Sequence, residues 1–241
     1  MKTINLTSNN KILVGTLHVP VEIRFNVPII IVHGHLATNR IGYYHLYYDI
    51  AKELENSGHI VLRFDLSGFG ESDVPIEEVN LEDHVSDILL ATNFLINEFN
   101  ADCVNLIAHC VGCTSSTVFT KEHASLVRKL LLINPFFIKE DYIGKLLTAS
   151  QIEELHNLGH TFRKGFFIHS SFFKGIYTLE EIYNYIQDKT DLIISEFDTY
   201  IIHSDLSNLN LDMTVVKEAN HDFIEKSTRT ELLKIVNNLL S

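Results

Sequence analysis

The stretch that most constrains this chain runs Val104-Asn105-Leu106-Ile107-Ala108-His109-Cys110-Val111-Gly112-Cys113-Thr114-Ser115-Ser116. An apolar run of strand character ends in a sharp turn at His109-Cys110-Val111-Gly112. Small, hydroxylated residues follow, suited to the close-packed first turns of a buried helix. A strand that turns directly into a helix lifts one side chain, here Cys110, above the edge of a sheet. The backbone N–H groups after it lack helical partners, and the helix dipole favours a thiolate at that point. Two other readings attach to the same residues. Cys110-x-x-Cys113 after a strand is where a dithiol redox pair would sit, and a free cysteine is often only a small buried residue.

The rest of the chain repeats this strand–helix rhythm. Lys2–Leu6 and Ile12–His18, with Asn9-Asn10 between them, predict an antiparallel hairpin. Ile29 to Val32 are four consecutive β-branched residues, which suit a strand covered on both faces, and His33-Gly34 closes it. A helix is expected over about Tyr43–Asn56, ending at Gly58, then a strand at His59–Asp65 and a glycine turn at Leu66–Ser72. Asn80 can cap a helix over Leu81–Phe99, and Arg128–Ile133 is a further strand. Four strand–helix alternations predict an α/β chain with a mostly parallel sheet and helices on both faces. From Phe136 to about Phe197 the rhythm breaks. That stretch is rich in Phe, Tyr and Ile, with helical pieces near Ile143–Leu158 and Leu179–Gln187, and reads as an inserted cap. Regular pattern resumes with strands at Thr199–Ser204 and Met213–Lys217, and Thr228-x-x-Glu231 reads as a capping box opening a final helix. The division is therefore residues 1–135 and 198–241 as core and 136–197 as cap.

With 241 residues, 46% of them hydrophobic, the chain can build one large core. Its apolar runs are broken well before the ~18 residues a membrane span needs. The net charge of -12 argues against nucleic-acid or anionic-membrane partners. Met1–Thr7 reads as a strand rather than a signal peptide. Three cysteines make no disulfide framework, so a cytoplasmic protein is expected.

The elbow resembles G-x-S-x-G with Ala108 for the first Gly and Cys110 for the Ser, and so resembles the α/β-hydrolase family. Three more landmarks match that family in order. His33-Gly34-His35-Leu36 resembles the loop that supplies half of an oxyanion hole. Arg63-Phe64-Asp65-Leu66-Ser67-Gly68-Phe69-Gly70-Glu71-Ser72 resembles the turn of small esterases. Glu218-Ala219-Asn220-His221-Asp222-Phe223 resembles the loop that carries a catalytic histidine. The likeness covers nearly the whole chain, is weakest in the cap, and leans towards cinnamoyl or feruloyl esterases. It implies Cys110 as nucleophile, His221 as base, and Asp205 as the acid, with Asp198 and Asp212 as alternatives because 205 to 221 is a short interval. It also implies backbone N–H groups of His35 and Val111 as the oxyanion hole.

The implied activity is acyl hydrolysis of an ester or thioester through a covalent Cys110 acyl-enzyme, on a small-molecule or carrier-bound substrate held under the aromatic cap. Transfer of the acyl group to an amine, thiol or hydroxyl, or ring closure, is the first alternative. A catalytically inactive binding module is the second. No cofactor is expected. Gly68-Phe69-Gly70 lacks the third glycine of a dinucleotide loop, and His33-x-His35 with His109-x-x-x-Cys113 forms no metal-ligand spacing. The number of further strand–helix units opposes a dithiol oxidoreductase, though a regulatory Cys110–Cys113 disulfide remains an alternative. The oligomeric state has no signature here.

Overall fold

The structure is a computed structural model that describes residues 1–8, 11–34, 38–76, 79–136, 144, 147–163, 166–170, 186–200 and 211–241. Ten strands are seen among these residues: β1 Lys2–Ser8, β2 Lys11–His18, β3 Phe25–Val32, β4 His59–Phe64, β5 Val104–His109, β6 Val127–Ile133, β7 His160–Arg163, β8 Phe166–His169, β9 Thr190–Ser195 and β10 Asp212–Val216. Five α-helices accompany them: α1 Leu46–Ser57, α2 Leu81–Phe99, α3 Gly112–Glu122, α4 Ala149–Leu158 and α5 Lys226–Leu240. Eight strands form one sheet in the order β1-β2-β4-β3-β5-β6-β9-β10. Every pairing from β4 to β10 is parallel; β2 alone runs against the rest, pairing antiparallel with both β1 and β4.

Burial explains the layers. Along β3 and β5 both faces are apolar, and Ile29, Ile30, Ile31, Leu106 and Ile107 are all buried. One face packs against Val85, Ile88, Ala91 and Leu95 of α2 and Val118 and Phe119 of α3. The other receives Leu46, Ile50 and Leu54 of α1 and Leu232, Val236 and Leu240 of α5. Asn80 caps α2 as expected, accepting from the N–H groups of Glu82 and Asp83 while Asp83 reaches back. Gly58 closes α1 at φ 103°, a conformation suited to glycine.

Two expectations change, and a third falls mostly outside the described residues. The core sheet regains the chain at β9, Thr190–Ser195, paired with β6 through Leu130↔Thr190 to Ile133↔Ile193. This lies inside the stretch assigned to the cap, so the sheet resumes before residue 198. The strand expected at Thr199–Ser204 begins in a bend, and 201–210 lie outside the described residues. Thr228 opens no helix: α5 begins at Lys226 behind Glu225, and Thr228 Oγ1 donates back to the Glu225 carbonyl. Of the cap, α4 and the β7–β8 hairpin are seen, with Leu147, Leu155 and Ile168 as a small core of their own. The helix expected at Leu179–Gln187 falls mostly outside the described residues.

Candidate active site

The carboxyl ends of β3, β5, β6, β9 and β10 converge on one spot, beside the point where β3 separates β4 from β5. The turn after β5 holds Cys110 at φ 53°. That left-handed conformation costs a non-glycine residue about 1–2 kcal/mol. The surroundings enforce it: the Cys110 N–H donates to the Ile133 carbonyl, and the Cys110 carbonyl accepts from Cys113 and Phe136. Gly112 follows because nothing larger fits. A Cβ there would lie 2.3 Å from the His33 carbonyl oxygen. Val111, at the N-cap of α3, presents its N–H ahead of the first helical residue.

His221 sits in the loop after β10. Its Nδ1 lies 2.5 Å from Asp198 Oδ2, and Asp198 follows β9 with its carboxylate fully buried. The other ring nitrogen is left for Cys110, which stands near enough for its sulfur to act on the imidazole. Burial alone would disfavour an imidazolium. The Cys110 thiolate and the Asp198 hydrogen bond outweigh it and hold the His221 pKa well above the ordinary value. Cys110, His221 and Asp198 thus lie side by side, with His221 between the other two.

Neighbouring loops are stitched together to keep this arrangement. Asn134, at φ 44° after β6, donates from Nδ2 to Ser195 Oγ and to the His221 carbonyl, and accepts from the Ser195 N–H. Ser195 Oγ donates to the Asn220 carbonyl, and the Phe197 N–H to that of Ala219. Arg229 of α5 donates to the carbonyls of Phe223, Asp222 and Tyr44 and to Asp49. Asn134, Ser195 and Arg229 carry no motif; their work is on backbone carbonyls of distant loops, which leaves no local pattern to read.

Each residue singled out from the sequence has a place. Cys110 and His221 are brought together. The acid at Nδ1 is Asp198, whereas Asp205 lies outside the described residues, as does His35. Asp212 begins β10, at the end of that strand away from the site. His33 is structural: buried, it donates from Nδ1 to the Gly34 carbonyl, accepts at Nε2 from the Leu66 N–H, and burial lowers its pKa to about 4. Gly70 makes a turn around a carboxylate. At φ 56°, its Cβ would fall 2.2 Å from Asp65, which accepts from the Arg40 and Glu71 N–H groups. Cys113 is buried beneath the elbow with Sγ on the Ile133 carbonyl, and burial pushes its thiol well up, the reverse of what a redox pair needs. All three cysteines are free thiols. Among the described residues, ligand atoms of His109, His221 and Asp222 lie within 4.8 Å of one another. Both nitrogens of His109 are already hydrogen-bonded, to Tyr47 and to the His221 carbonyl, which leaves no lone pair directed at an ion. No helix among the described residues is long and apolar enough to cross a membrane.

The α/β hydrolase fold family matches residues 27–206. The chain belongs to that family. No curated protein matches it, but solved structures do. Est1E from Butyrivibrio proteoclasticus, with ferulic acid bound, superposes with a TM-score of 0.82 at 14% identity, over 98% of this chain and 97% of that one. The alpha/beta hydrolase domain-containing protein 10 from mouse gives 0.74 at 16% identity, over 99% and 98%. An alpha-beta serine hydrolase homologue from Coxiella burnetii gives 0.65 at 14% identity, over 100% and 97%. At these identities the likeness is one of fold.

Proposed function

We propose that the protein is an acyl hydrolase, an esterase or thioesterase, that works through a covalent Cys110 acyl-enzyme with His221 and Asp198 as partners. The observation that carries this is the placement of His221 between Asp198 and Cys110, with the imidazole pKa raised by both neighbours. His221 takes the thiol proton, and the thiolate attacks the substrate carbonyl carbon. The leaving alkoxide or thiolate takes that proton from His221 as its bond to the acyl carbon breaks. Water, deprotonated by His221, then attacks the thioester, releasing the acid and restoring the thiol. The N–H of Val111 and, by the family likeness, that of His35 stabilise the oxyanion. Asp198 fixes the tautomer.

An aromatic acyl group is the favoured substrate. Tyr200 stands edge-on to His221 with ring centroids 5.0 Å apart. Burial and the nearby Asp222 raise the pKa of Tyr43, which keeps its phenol protonated beside the site. The Butyrivibrio neighbour binds ferulic acid. Cysteine in place of serine favours a second reading, transfer to an amine or thiol, because a thioester reacts with those faster than an ester does. Three free thiols accord with a reducing, cytoplasmic setting. The test is intact mass after incubation with aryl cinnamates and short thioesters, alongside Cys110→Ala. An adduct of the acyl mass on the wild type alone is expected. Its decay in water, or only with amine or thiol, separates hydrolase from transferase. No adduct and no product across the panel refutes the reading and leaves a binding module; equal turnover by Cys110→Ala refutes Cys110 as the nucleophile.

A further inference from the structure

Behind the elbow lies a buried chain of hydrogen bonds that the mechanism above leaves unused. Tyr47 of α1 is 1% exposed, and its hydroxyl accepts from the Gly34 N–H at 2.9 Å. The same oxygen lies 2.8 Å from Nδ1 of His109. His109 is the residue before Cys110 and is 2% exposed, and its Nε2 lies 3.0 Å from the His221 carbonyl oxygen. With the His109 ring neutral, only one arrangement of protons satisfies all three contacts. A backbone N–H can only donate, so the tyrosine oxygen accepts from Gly34 and gives its own proton to His109 Nδ1. The ring then carries its proton on Nε2, which donates to a carbonyl that can only accept. Burial and the neighbouring charge of His221 both favour the neutral form, and His109 is held well below the ordinary histidine range. A neutral ring matters, because the two imidazoles are 4.8 Å apart between centroids.

We infer that Tyr47 and His109 are positioning residues, a directional relay that locks the loop after β3 and the His221 loop into register around Cys110; this rests on the acyl-transfer reading above. Three strand ends meet in it. One end is the peptide just before residue 35, whose N–H is the expected second oxyanion donor. The middle is the residue joined to the nucleophile. The far end is the backbone of the base itself. The His221 carbonyl has two donors, Asn134 Nδ2 at 2.8 Å and His109 Nε2 at 3.0 Å. Asn134 also ties that loop to Ser195. Loss of His109 therefore leaves the loop attached through Asn134 and through the bonds at Ala219, Asn220, Asp222 and Phe223, but removes one of the two donors that fix the His221 carbonyl itself. The ring then loses its aim at sulfur more than the fold loses stability. Substrate affinity, set by the cap and the aromatic rim, has no part in the relay.

The test compares Tyr47→Phe, His109→Phe and His109→Gln. Glutamine can place an amide N–H near the position of the imidazole Nε2, whereas phenylalanine keeps the bulk and loses the donor. On an ester that labels Cys110, the two phenylalanine variants are expected to lose about 10- to 100-fold in kcat with KM changed by less than about twofold, the pattern of misplaced reacting groups. His109→Gln is expected to recover to within about fivefold of wild type. A second readout needs no substrate. Iodoacetamide alkylation of the Cys110 peptide is followed by mass at pH 6 and pH 9. The phenylalanine variants are expected to lose at least about fivefold at pH 6, where reaction depends on the aimed imidazole, and to match wild type at pH 9. His109→Phe with wild-type kcat and alkylation, or His109→Gln as poor as His109→Phe, overturns the relay and leaves packing alone. If His109→Phe does not fold, Tyr47→Phe with an unchanged profile overturns it equally. If wild type turns over no ester, the proposed function fails by itself, and the alkylation series still decides the relay.

Discussion

Replacing Asp198 by asparagine tests the line of charge at the site most sharply, because the structure dictates which way the new amide must face. Asp198 Oδ2 holds His221 Nδ1, while Oδ1 accepts the Tyr200 N–H at 2.7 Å. The carboxylate has two acceptors to give; an amide has one. If its oxygen serves Tyr200, its NH2 faces Nδ1 and forces the ring proton onto Nε2, where the imidazole can no longer take a proton from sulfur. If it flips, two donors meet at Tyr200 in a fully buried spot, which costs about 1–3 kcal/mol. The charge-assisted bond that steadies the imidazolium is lost either way, about 1.5–3 kcal/mol more. Together these give about 3–6 kcal/mol, or roughly 10²–10⁴ in kcat/KM. The assay is phenol release from an aryl ester under conditions where the variant keeps its far-ultraviolet circular dichroism. Asp205→Asn, run beside it, is expected to stay within about threefold of wild type. A near-normal rate for Asp198→Asn with a large loss for Asp205→Asn would refute the assignment of the acid.

Two further outcomes follow from close packing and from burial. Gly112→Ala puts a methyl group 2.3 Å from the His33 carbonyl oxygen. It should cost about 1–3 kcal/mol in urea unfolding and displace the elbow enough to remove most turnover; an unchanged midpoint and rate would show that the elbow yields. His18, His33 and His59 are each lowered to about 4 by burial, so between pH 6.5 and 4 the unfolded chain binds protons that the native chain refuses. Stability should therefore fall as pH drops through that window, by up to about 1.4 kcal/mol per pH unit for each histidine. His221 acts in the opposite sense: its raised value gives stability that is whole below pH 6.5 and lost as pH rises through the folded pKa. His84 and His109 are lowered by burial as well, and five groups against one predict a lower urea midpoint at pH 5 than at pH 7. His59→Leu, which removes two buried nitrogens without partners, should flatten the slope. A midpoint independent of pH would contradict the burial of these rings.

Much of the frame was legible because its signals are local. Four β-branched residues announce β3, Asn80 announces α2, and Gly58 closes α1. The elbow was legible because the close approach of the His33 carbonyl demands a glycine at 112. The acid was harder. Thr190–Ser195 is a short apolar run, and its entry into the sheet is decided by pairing with β6, about sixty residues away in sequence. A strand taken at Thr199–Ser204 points to Asp205 as the carboxylate after it, whereas the carboxylate after β9 is Asp198, which the sequence offers only as an alternative. Thr228-x-x-Glu231 misleads for a similar reason, since its pattern recurs one turn inside a helix that Glu225 already begins. Tyr47 and His109 look like core residues, and by burial they are; their polar atoms matter only because three strand ends meet there.

The order of the site along the chain has a consequence for synthesis. Cys110 is made long before His221, and Arg229, which ties the loops of Tyr44, Asp222 and Phe223 together, comes later still. At about 5–20 residues per second, a growing chain carries Cys110 for several seconds before His221 is made. On the proposed mechanism the thiol has no base during that interval. Acylation of a nascent or truncated chain then waits until the C-terminal helix docks, when the residue that would release the acyl group is also in place.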